Sequence, residues 1–192
     1  VHDILQAAYG AYRPGCRNVL RDIFVLELLF STGLRVSELC SLTRESFLLS
    51  GTELRLLING KGSKERIVYI NEACQAAVEA YRPVRAQMVG GSERAFFVSN
   101  RRQRMGRESV HAMVKKTILK AGLDPSKYSS HKLRHTAATL MIQNGVDVRT
   151  VQEVLGHEHL NTTQIYTHVD NSELHIAAEA NPLSSYIPEK KE

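Results

Sequence analysis

The chain has 192 residues, 43% of them hydrophobic and 23% charged, the ordinary balance of a folded domain large enough to bury one sizeable core. Its longest apolar run, Ile23 to Phe30, is interrupted by Glu27 and falls far short of the ~20 residues of a bilayer crossing. Residues Val1 to Tyr9 carry no basic n-region or small-residue cleavage pattern, so the expectation is a cytoplasmic protein with no membrane partner. The net charge of +5 and pI near 9.2 permit a polyanionic partner without establishing one. Cys16, Cys40 and Cys74 are odd in number, widely spaced and form no C-x-x-C pair, which points to reduced, mostly buried thiols rather than a disulfide framework.

In chain order, Ile4, Leu5 and Ala8 share one helical face, and Val19 to Ser31 is a strongly apolar helix ending at Gly33. A second helix follows at about Val36 to Leu42. The period then changes: Leu54, Leu56 and Ile58 belong to a strand, Gly60 and Gly62 punctuate a turn, and Arg66 to Ile70 supplies the return strand of a hairpin with a basic tip. Helix resumes over about Glu72 to Met88, and Ala95 to Ser99 is a candidate third strand. From Gly106 the chain reads as helical, with a loop over Gly122 to Ser130. A helix from Lys132 to Asn144 closes at Gly145, and another from Asp147 to Leu155 is capped by Asp147 and ended by Gly156. Asn161 and Gln164 have the spacing of a capping box for a helix that carries Tyr166, and an amphipathic segment, Ser172 to Ala180, stops before Pro182. The fold class expected is mainly α with a small antiparallel β-sheet.

Breaking a phosphodiester without a metal requires a nucleophile, fixed cations around the non-bridging oxygens and an acid for the departing alkoxide. Arg35 opens a helix directly after Thr32-Gly33-Leu34, where its side chain can point at a ligand. Arg134 lies three residues after His131, on the same helical face. Guanidiniums suit a tetrahedral phosphate because each donates two parallel hydrogen bonds. Taken singly, each residue also has a bland reading: Arg35, for example, can simply pair with Glu38 at i+3.

Taken together, the motifs carry a resemblance. Thr32-Gly33-Leu34-Arg35-Val36-Ser37-Glu38-Leu39 resembles the first arginine box of the tyrosine recombinases, the family of phage and conjugative-transposon integrases and Xer resolvases. Gly60-Lys61-Gly62-Ser63-Lys64-Glu65-Arg66 is similar to that family's β-hairpin lysine motif. His131-x-x-Arg134, Leu155-Gly156-His157 and a tyrosine nine residues on at Tyr166 complete the set in the family's order.

The resemblance implies the tyrosine recombinase catalytic-domain fold, no cofactor and no metal. It further implies that Tyr166 attacks phosphorus to give a 3′-phosphotyrosyl link and a free 5′-hydroxyl. Arg35 and Arg134 would clamp the scissile phosphate, Lys61 would protonate the leaving 5′-oxygen, and His131 would assist proton transfer. His157 would donate a hydrogen bond to a phosphate oxygen, with Glu38 supporting the site. The physics is consistent, since a phenol of pKa ~10 needs nearby positive charge or a base to react at neutral pH. Lys64 remains an alternative to Lys61 at the hairpin tip. The other tyrosines, at 9, 12, 69, 81, 128 and 186, have no partner box and read as core or surface aromatics.

His131 and His135 at i, i+4, with His157, His159 and His168 further on, invite a metal reading. No His-Glu-x-x-His signature or cysteine cluster accompanies them. Arg101, Arg102, Arg104 and Arg107, with Lys115 and Lys116, read as a track for the DNA backbone beside a phosphate site. The partners expected are double-stranded DNA and further copies of the chain, a tetramer on DNA and a monomer when free, in a bacterial cell and on its nucleoid.

Three rival readings are a type IB topoisomerase, a catalytically silent DNA-binding module and a metal-dependent nuclease. The first shares the chemistry, the second predicts a broken residue set, and the third needs carboxylate or histidine clusters. The domain expected is residues 1 to 180 with a tail over 181 to 192. The family's usual preceding DNA-binding domain does not fit within the first 14 or so residues, and the C-terminal segment packs either on its own body or on a neighbour.

Overall fold

The computed structural model describes residues 1–50, 53–60, 65–156 and 180. Within them the fold is mostly helical with one three-stranded antiparallel sheet. Helix α1 (His2–Gly10) buries Ile4, Leu5 and Ala8, the face its sequence period selects. Helix α2 (Arg17–Thr32) is the centre of the domain: its residues from Ile23 to Thr32 are all buried, with α1, α4 and α6 packed around it. Such an all-round apolar helix is stable only when enclosed. It ends because Gly33 turns left-handed at φ 60°.

Glu27 interrupts that apolar run, and its carboxyl lies fully buried with Oε1 accepting a 2.9 Å hydrogen bond from Tyr9. Burial pushes the Glu27 carboxyl up to about 7, against the opposing effect of the Tyr9 bond. Next to α2, Phe24, Phe47, Tyr81, Phe96 and Phe97 form an aromatic cluster with ring centroids 4.0 to 6.3 Å apart.

Helix α3 (Val36–Ser41) is followed by a 3-10 turn at Arg44–Ser46 and the sheet: β1 (Phe47–Ser50), β2 (Glu53–Asn59) and β3 (Glu65–Tyr69). Leu56 stands opposite both Phe47 and Val68, which sets one apolar face of the sheet on the core. The hairpin β2–β3 matches its expectation, but the third strand is Phe47–Ser50 rather than Ala95–Ser99. The latter makes only single bridges, Thr43 to Ala95 and Val98 to Arg104. Side chains satisfy part of this segment: the buried Arg85 donates to the carbonyls of Ala95 and Phe96 at 2.6 to 3.1 Å, and Arg21 to that of Val98 at 3.0 Å.

Helix α4 (Glu72–Met88) begins at Asn71, whose Oδ1 accepts from the Cys74 N–H at 2.9 Å, and continues through Pro83. Helices α5 (Arg107–Lys120), α6 (Ser130–Gln143) and α7 (Val148–Leu155) follow. Helix α6 starts two residues before its expected Lys132, capped by Ser129, while the Ser130 hydroxyl meets Nδ1 of His111 on α5. Helix α7 is capped by Asp147, which accepts from the Thr150 N–H at 3.0 Å, and closes at Gly156 with φ 65°. Ala180 packs against the small core that α6 and α7 share around Met141 and Leu155. The thiols are free, but only Cys74 is buried; Cys40 is half-buried and Cys16 is exposed at the start of α2, so the expectation of mostly buried cysteines is corrected. No described helix is long and apolar enough to cross a membrane.

Candidate active site

The expected site residues Arg35, Glu38 and Arg134 come together around the carboxyl end of α7. The left-handed Gly33 reverses the chain between α2 and α3, and it must be glycine for a second reason: a Cβ there would lie 2.4 Å from Cδ2 of Leu155. This close approach lets α6 reach across. Arg134 is buried, with Nη1 donating to the Gly33 carbonyl at 2.6 Å and Nη2 donating to the Leu155 carbonyl at 2.7 Å. One guanidinium therefore ties the end of α2 to the end of α7.

Arg35 sits at the start of α3. Its Nη2 donates to the Gly156 carbonyl at 3.1 Å and its Nη1 to Oε1 of Glu38 at 3.1 Å. Its backbone N–H donates to the other Glu38 oxygen at 2.9 Å, so the carboxylate satisfies the first turn of the helix as well as the side chain. The pairing of Arg35 with Glu38 that the sequence allowed is present, and it is part of a larger network.

The residue that sequence reasoning missed is Arg66, on β3. Its Nη1 and Nη2 donate to the two oxygens of Glu38 at 2.9 Å each, a bidentate pair, and its Nε donates to the Val154 carbonyl at 3.3 Å. The guanidinium lies flush against the turn after α7, since a Cβ on Gly156 would come within 2.9 Å of it. The available signal was its position in the hairpin motif; nothing local in the sequence pointed to partners on α3 and α7.

Three guanidiniums from three elements thus grip three successive carbonyls, those of Val154, Leu155 and Gly156. These are the otherwise orphaned acceptors at the negative end of the α7 dipole, so cations there are favourable. Glu38 is the one carboxylate bonded to this group among the described residues. Burial would raise the Glu38 carboxyl, but hydrogen bonds from Arg66 and from the Arg35 backbone, with both positive charges, outweigh it and hold the group below its usual range. Burial and the neighbouring Arg35 pull Arg134 down to about 10, with Glu38 opposing and Arg66 adding to the fall; it stays charged at neutral pH.

The side chains differ in access: 42% of the Arg35 side chain is exposed against 17% for Arg66 and 6% for Glu38, so Arg35 is the freest of the three to meet a ligand. His131 is exposed on the first turn of α6, and its Nε2 faces Nε2 of His135 at 3.2 Å, with the rings edge to face. Lys61, Lys64, His157, His159, His168 and Tyr166 lie outside the described residues, as do the capping box at Asn161 and Gln164 and all of the Ser172 to Ala180 segment except its last residue.

Arg101, Arg102, Arg104, Arg107, Lys115 and Lys116 are all exposed. Arg104 and Arg107 lie near Cys40, with Nη1 of Arg104 donating to the Cys40 carbonyl at 2.7 Å at the end of α3. Lys116 lies toward Asp22 on α2. Of the remaining tyrosines, Tyr81 is in the aromatic core, Tyr69 is buried beneath the Arg55 guanidinium, and Tyr12 and Tyr128 are exposed.

The fold is that of the tyrosine recombinase catalytic domains. The catalytic core of lambda integrase superposes with a TM-score of 0.59 at 20% identity, over 81% of this chain and 92% of that one, a likeness of fold. The XerH site-specific recombinase bound to its difH substrate superposes at 0.73 with 28% identity, over 92% of this chain and 51% of that one. The phage integrase family profile matches residues 2–173, and the chain belongs to that family. Tyrosine recombinase XerC of Caldanaerobacter subterraneus is 46% identical over 165 residues, covering 85% of this chain and 46% of that protein. Tyrosine recombinase XerD of Vibrio cholerae is 40% identical over 172 residues, covering 88% of this chain and 56% of that protein. The chain spans about half the length of these relatives.

Proposed function

We propose that the protein is a site-specific DNA recombinase that cuts and rejoins strands through a 3′-phosphotyrosyl intermediate, with Tyr166 as nucleophile. The observation that carries this reading is the meeting of Arg35 and Arg134 with Glu38 at the end of α7: two guanidiniums against one carboxylate leave a net positive charge beside the residue that precedes His157. A pentavalent phosphorane gains charge on its non-bridging oxygens, and guanidiniums fixed before the reaction stabilise it without reorganising.

In this reading the Tyr166 oxygen forms the bond to phosphorus as the bond to the 5′-oxygen breaks. The phenolic proton passes to a base, for which His131 is the candidate, and the leaving 5′-oxygen takes a proton from Lys61. The reverse attack by a 5′-hydroxyl joins the new strand and restores the tyrosine. One phosphodiester replaces another, so no nucleotide is consumed. His157 would add a hydrogen bond to the phosphate, and the exposed arginines and lysines from Arg101 to Lys116 would hold the DNA backbone. Assembly of four copies on DNA, and a share for the C-terminal segment in that assembly, belong to the same proposal.

The test is an SDS-resistant protein–DNA adduct on nicked duplexes carrying candidate recombination sites, in EDTA. An adduct formed by the wild-type chain and lost in Tyr166→Phe supports the reading. An adduct that survives Tyr166→Phe, or activity that requires a divalent metal, overturns it.

A further inference from the structure

We infer that Arg66 is a positioning residue for this reaction: by occupying the Glu38 carboxylate in bidentate fashion, it keeps Arg35 from closing on that carboxylate and leaves the Arg35 charge available to the scissile phosphate. The inference rests on the recombinase reading above and concerns a residue to which that reading gives no part.

The geometry divides the carboxylate unequally. Both Glu38 oxygens receive an Arg66 nitrogen at 2.9 Å, whereas the Arg35 side chain reaches only Oε1, at 3.1 Å. Two parallel bonds are the strong form of an arginine–carboxylate pair, and Arg66 has taken it. Arg35 is left with one bond to Glu38 and one to the Gly156 carbonyl, and remains the more exposed of the two guanidiniums.

Without Arg66, Glu38 would be a buried carboxylate with one guanidinium in reach. Arg35 lies three residues away on the same helix start and would become its full counter-charge. The Coulomb attraction in a poorly solvated site is large, so Arg35 would be drawn off the Gly156 carbonyl into a closed ion pair. A phosphate would then meet a neutralised pair instead of a free cation. Arg66 also fastens β3 to α7 through the Val154 carbonyl, so it is held from two sides.

A purely structural brace would slow every substrate alike, whereas a residue that preserves Arg35's charge matters only when the phosphate is charged. Adduct formation is therefore compared for wild type, Arg66→Gln and Arg66→Lys on two nicked duplexes, one with an ordinary scissile phosphodiester and one with an uncharged methylphosphonate there. Arg66→Gln is expected to slow reaction on the phosphodiester about 10- to 100-fold, the range for residues acting through a direct ligand. The slowing is expected to shrink to within a few-fold on the methylphosphonate, with Arg66→Lys intermediate on the phosphodiester. If Arg66→Gln does not fold, Arg66→Lys carries the same two-substrate comparison. In the double variant Glu38→Gln with Arg66→Gln, the carboxylate that would capture Arg35 is gone, and part of the phosphodiester rate is expected to return.

Equal slowing on both duplexes overturns the inference alone. Wild-type chain that forms no adduct on the phosphodiester overturns the recombinase reading, and the inference falls with it.

Discussion

Arg66 and Glu38 are 28 residues apart in sequence and meet through two parallel hydrogen bonds of 2.9 Å each, linking the sheet to the first turn of α3. The pair is mostly shielded from water, so removing one member leaves charge without a partner. Glu38→Gln is expected to lower stability by about 2–3 kcal/mol, less than for a fully enclosed pair because Arg35 is partly solvated. Urea unfolding at neutral pH measures it. Because the Glu38 carboxyl is held below its usual value of 4.5, its contribution is present above that pH and is lost as the pH falls through the folded-state value. The difference between wild type and Glu38→Gln should therefore shrink in acid; a difference that stays constant down to pH 3 would mean that the charge is not what matters.

Glu27 should act in the opposite sense. Its unfolded carboxyl ionises near 4.5, while burial in α2 holds the folded one protonated up to about 7. The fold binds this proton more tightly, so the stability it confers is full below pH 4.5 and disappears as the pH rises through 7, a swing of about 3 kcal/mol. Glu27→Gln should flatten that slope between pH 5 and 7.5 in denaturant titrations. An unchanged slope would place the titrating group elsewhere.

Gly33→Ala is expected to cost about 2–4 kcal/mol, combining a left-handed backbone with overpacking against Leu155. The methyl group would push the end of α7 away from α2, so the two bonds of Arg134 should weaken too. Calorimetry measures the loss. A near-neutral substitution would show that α7 can shift freely without consequence.

Arg134→Lys keeps the charge but not the reach. A single ammonium cannot serve the Gly33 and Leu155 carbonyls in the way that two guanidinium nitrogens do. If the proposed function holds, adduct formation should fall ~10²- to 10³-fold, the usual loss for one fixed donor at a developing oxyanion. Wild-type rates in Arg134→Lys would remove Arg134 from the reaction.

The helices were legible where local chemistry alone defines them. Gly33 and Gly156 mark the ends of α2 and α7 because a left-handed residue closes them, and Asp147 sits where its side chain caps the next turn. Strand β1 was not legible, because four residues of Phe-Leu-Leu-Ser have no period to read and pair only once β2 is in place. Ala95 to Ser99 misleads for the converse reason: its apolar side chains suit a strand, but it bridges Thr43 and Arg104 only singly, and Arg85 and Arg21 bond several of its carbonyls. At the site, Arg35, Glu38 and Arg134 could be named from motif order. Arg66 could not be assigned its part, because its partners are main-chain and side-chain atoms of elements 28 and 88 residues distant.

The grip on the end of α7 has a consequence for how such a sequence can drift. Arg35, Arg66 and Arg134 hold α7 by peptide oxygens, and every amino acid supplies a peptide oxygen. Positions 154 and 155 can therefore exchange one apolar side chain for another of similar volume without the clamp noticing. The gripping arginines have no such freedom, nor does Gly156, whose missing side chain is the space that Arg66 occupies. Here the held residues are the replaceable ones, and the holders, scattered over a hundred positions of sequence, must change together or not at all.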